Sequence, residues 1–456
     1  MASNQQTQMI GAPVKRKEDP RLLMGDSMYT GDVDLKGMVH MAVLRSPHGH
    51  ARIRNIDVSQ ARSHPQVLAV LTGEEVKEQC QSQFLLFAVK EETRTHSRWP
   101  MAVESAKYVG EPVAVVVAAS ATAASDALEL IEVDYEPLPA VVDIEAAARG
   151  DSPLVHEDLG TNLSVETSGT AGDPEGAFRD ASGVVSVRLA EPRLVPSPME
   201  SRAVVASYER GTGNMTMWLS TQTPHLERSF VSQVLGFPEN KLRILSRDVG
   251  GGFGCKIDTY PETVIAAILA IRLAKPVKWV EDRQENFTST IHGRGEVQYV
   301  DAAYDDDGVL LGMRISYYTE LGAYSSGGTH SVVDASIPSG AQGAYRVRNL
   351  EWTTYGVFTN KVPVGPYRGY SQQATAYFIE RVMDLIAGEL AMDPAEVRRR
   401  NFIPVDAFPY MNPMGREFDN GNYEAALDRA LELAEYQNLR EEQKRLREQG
   451  ILMGIG

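Results

Sequence analysis

The feature that most constrains the fold of this chain is a glycine-rich segment between a strand pattern and a helix start. The segment reads Asp248-Val-Gly-Gly-Gly-Phe-Gly-Cys-Lys256. Residues 241–246 before it alternate like a half-buried strand, and Pro261 after it suits the first position of a helix. Glycine has no Cβ and reaches positive φ, so a ligand can approach the main-chain N–H groups closely. The pattern predicts a strand–loop–helix unit whose loop is either a ligand site or a tight structural turn.

Two familiar phosphate-binding loops do not fit this segment. A Walker loop needs Ser or Thr after its lysine, whereas Lys256 is followed by Ile257. A dinucleotide fingerprint needs a G-x-G-x-x-G spacing in a βαβ unit with a later acidic residue, and the match is poor. A nucleotide-binding enzyme of either type is therefore disfavoured.

Two further segments also lie between a strand pattern and a helix pattern. In Ser220-Thr-Gln-Thr-Pro-His225, the Gln222 amide could donate to an oxygen of a bound group, with helix capping as the structural alternative. In Val364-Gly-Pro-Tyr-Arg-Gly-Tyr-Ser371, Arg368 carries a permanently charged planar guanidinium group. It lies between Tyr367 and Tyr370, whose rings can stack on a planar substrate. A solvated arginine is the alternative there. Sheet proteins gather their sites on such loops.

Composition excludes several classes of protein. The 456 residues suffice for two or three domains. Lys and Arg number 45 against 61 Asp and Glu, a formal net charge of −16, which argues against nucleic acid or an anionic membrane as the main partner. No apolar run reaches the roughly 20 residues of a membrane helix, and no secretory leader is visible, so we expect a cytoplasmic protein. Two cysteines, Cys80 and Cys255, are too few for an iron–sulfur cluster on this chain and are expected to be free thiols.

Hydrophobic periodicity predicts an α+β chain. Strands are expected at residues 37–45, 111–119, 184–189, 202–208 and 215–220, and helices after Ser120, at 223–236, from Pro261 and at 371–390. A last helix is expected after Asn422, with Leu427, Ala430, Leu431 and Ala434 on its buried side. Residues 450–456 form an apolar, strand-like end, so we expect either a continuation or another chain to complete the fold.

Several motifs occur together along the chain. In addition to the three loops, the chain contains the following motifs: Asp19-Pro-Arg-Leu-Leu-Met-Gly25, Tyr29-Thr-Gly-Asp32, Val109-Gly-Glu-Pro-Val-Ala114, Pro198-Met-Glu-Ser-Arg202, Pro276-Val-Lys-Trp-Val-Glu-Asp-Arg283 and Ile379-Glu-Arg-Val-Met-Asp384. In this order they resemble the molybdopterin-binding large subunit of the xanthine dehydrogenase/aldehyde oxidase family, of the bacterial CO dehydrogenase-like type. The resemblance covers nearly the whole chain.

The resemblance implies a domain order. A lead-in at residues 1–18 precedes a hammerhead α/β domain at 19–146. A linker at 147–183 leads to the first molybdopterin-binding domain, of mixed sheets and helices, at 184–420. Residues 421–456 are expected to hold a helix and the start of a second molybdopterin-binding domain.

The resemblance also implies roles for site residues. The cofactor would be bound by Gln222, Gly251, Gly252, Phe253, Gly254 and Arg368, and the substrate by Ile257, Tyr367 and Tyr370. The metal is held by the pterin dithiolene and by no protein side chain. Whether the molybdopterin is the cytosine dinucleotide form is left open.

The implied reaction is hydroxylation of an N-heteroaromatic compound or oxidation of an aldehyde with oxygen from water. Electrons would pass to [2Fe-2S] clusters and FAD on separate small and medium subunits. The family's catalytic glutamate lies in a Gly-x-Gly-Glu motif that does not follow Arg368 here, and Gly110-Glu111 imitates it inside the hammerhead match. We therefore expect no catalytic residue on this chain. Either a separate chain carries the C-terminal molybdopterin domain, or the protein is a non-catalytic truncated remnant or assembly partner.

Departures from the family patterns narrow the range of expected substrates. Purine-oxidising members carry a glutamate where this chain has Ile257, and an arginine in the stretch that reads Ser336-Ile-Pro-Ser339 here. CO dehydrogenases place a copper-binding cysteine where this chain has Gly369. Xanthine and carbon monoxide are both disfavoured, and a less polar pocket is expected.

Overall fold

A computed structural model describes residues 11–84, 91–326, 333, 337, 340–370 and 372–456. The strands are β1 Val39–Arg45, β2 Ala51–Asp57, β3 Val67–Thr72, β4 Ser105–Ala106, β5 Pro112–Ala118, β6 Glu132–Pro137, β7 Leu163–Ala171, β8 Gly183–Glu191, β9 Ala203–Glu209, β10 Asn214–Leu219, β11 Leu242–Leu245, β12 Val277–Val280, β13 Glu296–Tyr304, β14 Leu310–Gly322, β15 Leu350–Phe358, β16 Tyr410–Met411 and β17 Glu417–Phe418. The helices are α1 Asp19–Leu23, α2 Ser59–Ser63, α3 Gly73–Lys77, α4 Ala121–Leu128, α5 Ile144–Arg149, α6 Pro174–Arg179, α7 Pro224–Leu235, α8 Pro261–Leu273, α9 Arg283–Ser289, α10 Gln372–Glu389, α11 Pro394–Asn401, α12 Tyr423–Leu433 and α13 Tyr436–Glu448.

The largest sheet joins the N-terminal region to the region after residue 184. Its strand order is β11-β10-β9-β12-β1-β5-β3, and β1 runs parallel to β12 with Val39 opposite Val277. The valine-rich β5 is buried along its whole length, as a strand covered on both faces must be. The two predicted domains therefore share one sheet, although β4-β2-β6 forms a separate three-stranded sheet within the N-terminal region.

Helices α7 and α8 cover this sheet next to β9–β11. Val264, Ile265 and Leu269 of α8 have no solvent exposure and belong to a cluster that includes residues from β1 and β5. Burial of each such side chain contributes about 1.5–3 kcal/mol. The packing fixes the starts of both helices, and with them the loops that precede the helices.

A second sheet supports the third predicted loop. Its order is β7-β15-β14-β13-β8, and α10, the helix predicted at 371–390, packs on it through Phe378, Val382 and Ile386. The predicted linker at residues 147–183 is wrong in part, because it contains β7 and α6. β7 is polar because it forms a sheet edge, hydrogen-bonded only to β15 within the described sheet.

The prediction for the last segment also needs correction. The expected single helix is two, α12 and α13, separated by Glu435 in a left-handed conformation. Neither helix has a buried residue, so the predicted buried side of α12 is not buried against the described chain. Residues 450–456 form no strand, since no described strand lies beside them to share hydrogen bonds. Among the described helices, none has both the length and the apolar character needed to span a bilayer.

Candidate functional site

The site begins where two parallel strands end side by side. Strands β10 and β11 pair in parallel, from Met215 opposite Leu242 to Trp218 opposite Leu245. Their carboxyl ends therefore meet at one sheet edge, and they continue into the segment that carries Gln222 and into the glycine loop, residues 248–256. This topology brings together two of the three predicted loops.

Gln222 is bound to the glycine loop through one end of its side-chain amide. Its Oε1 accepts hydrogen bonds from the N–H groups of Gly254 at 2.9 Å and Lys256 at 3.4 Å. Its own N–H donates to the Lys256 carbonyl at 2.8 Å. Because Oε1 is fixed as the acceptor, the exposed Nε2 group is the donor left for a ligand. The helix-capping alternative is not seen, because no side-chain cap bond starts α7.

Two glycines allow the loop to approach its neighbours. A Cβ on Gly252 would lie 2.3 Å from the Gln222 Oε1 atom. A Cβ on Gly254 would lie 2.5 Å from the Pro366 carbonyl oxygen, and Gly254 also has a φ of +103°. Both positions exclude a side chain, so these glycines are required by contacts and by backbone conformation.

The third predicted loop, residues 364–370, lies against the glycine loop. The Arg368 N–H donates to the Phe253 carbonyl at 2.8 Å. Arg294, which the sequence reasoning missed, donates from its guanidinium to the carbonyls of Tyr367 at 3.2 Å and Arg368 at 2.9 Å. The same guanidinium carbon lies 4.4 Å from the Tyr367 ring centroid. Arg294 thus fixes the backbone that presents Arg368.

Gln222, the glycine loop and Arg368 form one surface with unused donors. The side chains of Gln222, Phe253, Arg368 and Tyr370 are exposed, whereas Ile257 and Tyr367 are half-buried. Within the described part of the chain, the N–H groups of residues 251–253 have no hydrogen-bond acceptor. A concentration of free donors beside exposed aromatic rings suits a planar ligand with oxygen acceptors.

Glu200 anchors the base of the glycine loop and was not predicted as a site residue. Its Oε2 accepts hydrogen bonds from Gly250 N–H at 2.7 Å, Ser220 Oγ at 2.8 Å and the Lys256 ammonium at 3.0 Å. Lys256 is buried, and desolvation lowers its pKa even though Glu200 opposes that shift. Glu200 belongs to Pro198-Met-Glu-Ser-Arg202, a motif that carried the resemblance without an assigned role.

A buried ion-pair network lies behind this anchor. Arg202 pairs with Glu281 at 2.6 Å and with Glu262 at 2.9 Å, and Arg45 pairs with Glu262 at 2.7 Å. Burial alone would raise the pKa of Glu262, but the two arginines outweigh it and bring that pKa to about 2. The network connects β1 and α8 to the residue before β9 and the residue after β12, and so stabilises the junction of the two regions behind the loops.

The N-terminal segment is bound to the first residue of the glycine segment. Asp248 accepts two hydrogen bonds from the Arg21 guanidinium, one of them at 2.7 Å, and a third from Met28 N–H at 2.9 Å. The Arg21 hydrogen bond, followed by that from Met28, holds the pKa of Asp248 far below its usual range. Residues 19–32, quoted above only as motifs, therefore position the start of the loop.

Two buried acids lie beneath the loops. Burial raises the pKa of Glu227 in α7 to about 8 and that of Asp258 to about 6. Each has one carboxyl oxygen without a hydrogen-bond partner. At neutral pH Glu227 is thus mostly protonated.

Other predicted features have a structural role. Cys255 is fully buried, and both cysteines are free, as expected. Glu111 is buried and accepts a hydrogen bond from Lys107 N–H at 2.6 Å, so it serves the interior of the N-terminal region. A cavity of about 840 Å³ opens between that region and the five-stranded sheet, and no predicted site residue lines it. Ser336, Pro338 and Ser339 lie outside the described residues.

Comparison with known proteins decides the family. The molybdopterin cofactor-binding domain family matches residues 155–402, and the aldehyde oxidase and xanthine dehydrogenase a/b hammerhead domain family matches residues 24–139. The chain belongs to the xanthine dehydrogenase/aldehyde oxidase family of molybdopterin-binding proteins. The predicted family and fold class are confirmed.

Individual relatives show how much of a complete subunit is present. The carbon monoxide dehydrogenase large chain of Hydrogenophaga pseudoflava is 36% identical over 96% of this chain and 56% of its own length. Quinoline 2-oxidoreductase from Pseudomonas putida 86 superposes with a TM-score of 0.90 at 36% identity, over 96% of this chain and 56% of its own. The nicotinate dehydrogenase large molybdopterin subunit of Eubacterium barkeri is 29% identical over 95% of this chain and 99% of its own length. The chain thus spans little more than half of the first two and almost all of the third.

Proposed function

We propose that this chain is the molybdenum-cofactor-binding subunit of a multi-subunit oxidoreductase that hydroxylates an N-heteroaromatic compound or oxidises an aldehyde with water. Electrons pass to [2Fe-2S] and FAD groups on partner subunits. The observation that carries the proposal is the convergence of Gln222, the glycine loop and Arg368, from three separate stretches of sequence, at one surface.

The free groups of this surface fit a molybdopterin cofactor. The Nε2 group of Gln222 and the N–H groups of residues 251–253 are donors without protein acceptors in the described chain, and the cofactor carries oxygen acceptors. The missing Cβ atoms at Gly252 and Gly254 keep the loop compact against Gln222 and Pro366. When bound, the cofactor supplies the metal centre at which a substrate carbon is oxidised.

Each protein group has a distinct task in this proposal. Gln222 donates from Nε2 to a cofactor oxygen, while its Oε1 holds the loop amides in place. Arg368 provides a positive charge beside the cofactor, on a backbone that Arg294 and Phe253 fix. Tyr370, exposed at 38% and held at a φ of +48°, offers its ring for stacking on the substrate.

No residue of the described site is assigned as the general base. The sequence after Arg368 has no Gly-x-Gly-Glu motif, and Glu111 is committed to the interior. A relative that this chain covers over 99% of its length is named a large molybdopterin subunit, which supports cofactor binding by these residues. We propose that a C-terminal molybdopterin domain completes the site.

An N-heteroaromatic compound is the favoured substrate class. Ile257, directly after the glycine loop, has an apolar side chain where a purine site would need a carboxylate. Two of the relatives above are named for quinoline and nicotinate, which are both nitrogen heteroaromatics. Gly369 cannot supply a copper-binding thiolate, which argues against carbon monoxide as the substrate.

Co-expression of the chain with the products of the genes beside its own tests the proposal. We expect molybdenum at about one atom per chain and substrate-dependent reduction of a redox dye with quinoline- or nicotinate-like compounds. Gly211→Ala, in the turn between β9 and β10 with open space around its Cβ, is the matched control for loop variants. Molybdenum without turnover in every combination would favour the assembly-partner alternative, and absence of molybdenum in every combination would refute cofactor binding.

A further inference from the structure

A second cluster of ligand-type side chains lies in the N-terminal half of the chain. His96, His156 and Asp158 each offer one ligand atom within 4.8 Å of the other two. They line a cavity of about 520 Å³ that none of the predicted site residues lines. None of the three takes part in the function proposed above.

Both imidazole rings are oriented by hydrogen bonds to backbone carbonyls. The His96 Nδ1 atom lies 3.0 Å from the Ser97 carbonyl oxygen, and the His156 Nε2 atom lies 2.6 Å from the Ala323 carbonyl oxygen. A carbonyl can only accept, so each of these nitrogens carries the proton. The lone pairs are left on His96 Nε2 and His156 Nδ1. This pattern, with one nitrogen donating to a carbonyl and the other free, is typical of metal-binding histidines.

The rings and the carboxylate are close enough to share one ion. The two rings stack with centroids 3.7 Å apart and an interplanar angle of 10°. The His96 Nε2 atom lies 3.7 Å from an Asp158 oxygen. Two ligands of a tetrahedral Zn²⁺ ion at about 2.1 Å are separated by about 3.4 Å, so His96 Nε2 and the Asp158 oxygen are close to the required separation. Because the two rings are nearly parallel and their lone pairs lie in the ring planes, one imidazole has to turn for both to bind the same ion. Asp158 is exposed, so its carboxylate is free to move with the ion.

The surroundings keep the histidines neutral. Burial, and then the neighbouring His96, lower the pKa of His156 to about 3, and burial lowers that of His96. Phe358 packs edge-on against His156 with ring centroids 5.3 Å apart. The Lys107 ammonium is the adjacent positive charge; it donates to the Val155 carbonyl, while Glu157 and Asp158 provide opposing negative charge.

We propose that His96, His156 and Asp158 bind a divalent transition-metal ion of the Zn²⁺ class. Two imidazoles and one carboxylate leave a fourth position for water. The ion would connect the segment around His96 to the turn at residues 157–159. Hydrogen bonds between His96 and Ser325 already place that segment against the end of the second sheet, at 3.1 and 3.2 Å. The proposed metal site is therefore structural: it would hold the segment around His96 against the turn at residues 157–159 and the end of the second sheet.

Metal titration of the full 456-residue chain, purified without an affinity tag and with any accompanying subunits, tests this assignment. After dialysis against a chelator, Zn²⁺ or Co²⁺ is added, and bound metal is measured by elemental analysis and by Co²⁺ visible absorption. We expect one equivalent of Zn²⁺ beyond any metal retained after dialysis, nitrogen-ligand bands for Co²⁺, and a thermal midpoint that rises with Zn²⁺ concentration.

Variants distinguish the cluster from adventitious binding. His96→Gln and Asp158→Asn alter partly or fully exposed side chains, so both should fold, and each is expected to weaken Zn²⁺ binding at least tenfold. Glu157→Gln on the same turn and His225→Ala at the surface are controls that should bind like the parent chain. Undiminished binding in both cluster variants, or no Zn²⁺-dependent shift in the parent chain, would overturn the proposal. Because neither cluster variant touches the glycine loop, molybdenum content should not change.

Discussion

Gln222→Glu offers the sharpest test of the proposed site. The wild-type side chain holds the glycine loop through Oε1, at 2.9 Å from Gly254 N–H, and presents Nε2 outward. A carboxylate in its place retains an acceptor for the loop amide but can no longer donate. Gln222→Ala removes both functions. The pair of variants therefore separates support of the loop from contact with the cofactor.

The magnitudes follow from these contacts. One neutral hydrogen bond contributes about 0.5–1.5 kcal/mol, so Gln222→Ala should lower the free energy of unfolding by about 1 kcal/mol. Gln222→Glu should change it by less than about 0.5 kcal/mol, because the acceptor remains and the position is exposed. Loss of one donor to an oxygen at a reacting centre costs about 10²–10³ in turnover, so both variants should lose activity to a similar extent.

Urea unfolding, molybdenum content and substrate-dependent dye reduction measure the three quantities on the same preparations. We expect activity to fall in both variants and stability to fall only in the alanine variant. If Gln222→Glu keeps full turnover, the proposed contact from Nε2 is wrong. If its turnover and stability fall in parallel, Gln222 is a structural residue.

Three further predictions concern the support of the site. Gly254→Ala should destabilise the chain by about 3 kcal/mol or more, since a strained φ costs about 1–3 kcal/mol and overlap with Pro366 costs a similar amount. Gly211→Ala has open space around its Cβ and should change stability by less than about 1 kcal/mol. Equal shifts of the urea midpoint in the two variants would contradict this prediction. Glu262→Gln breaks a buried pair and should cost about 3–5 kcal/mol at pH 7. The folded pKa of Glu262 is about 2, below its unfolded value, so the difference in unfolding free energy between wild type and Glu262→Gln should shrink as the pH falls from 5 towards 3. A difference that stays constant over that pH range would contradict the prediction. Glu227 has a folded pKa of about 8, above its unfolded value, so it destabilises the chain increasingly as the pH rises from 5 to 8. The stability of Glu227→Gln relative to wild type should therefore increase over that range. A stability difference that does not change with pH would count against burial of the neutral acid.

The three loops were predictable from the sequence because each carries its own local signal. The Gly250–Gly254 cluster, Pro224 and Pro261 mark where strands end and helices begin, and the structure has α7 and α8 starting at those prolines. Periodicity also predicted the helix that is α10 and the strand that is β5, since both depend on residues close in sequence. The mutual contact of the loops needed the family resemblance.

The shared sheet and strand β7 could not be predicted in the same way. β12 is only four residues long, and nothing local indicates that it pairs with β1, more than 230 residues earlier. β7 alternates weakly and contains polar residues, so composition favoured a linker. Its structure depends on hydrogen bonds to β15, which are main-chain contacts that side-chain patterns do not encode.

Glu200, Arg202 and Arg294 were missed for a related reason. Each is a single charged residue whose partners come from distant segments, and a lone charge in a sequence is most often solvated. The only available signal was the motif Pro198-Met-Glu-Ser-Arg202, in which a glutamate and an arginine two positions apart prove to serve different buried contacts. Arg294 had no signal at all, although its left-handed φ of +66° marks it in the structure as a constrained residue.

The geometry behind the loops explains why the site can be both exposed and well defined. Gln222, Phe253 and Arg368 face outward, where side chains would ordinarily move freely. Their backbones are fixed from within, by Glu200 beneath the glycine loop and by Arg294 beneath the arginine loop. These anchors are charge-assisted hydrogen bonds, which are roughly twice as strong as neutral ones. The donors of the site are therefore held in place before any ligand binds, so binding does not have to supply the free energy of ordering them.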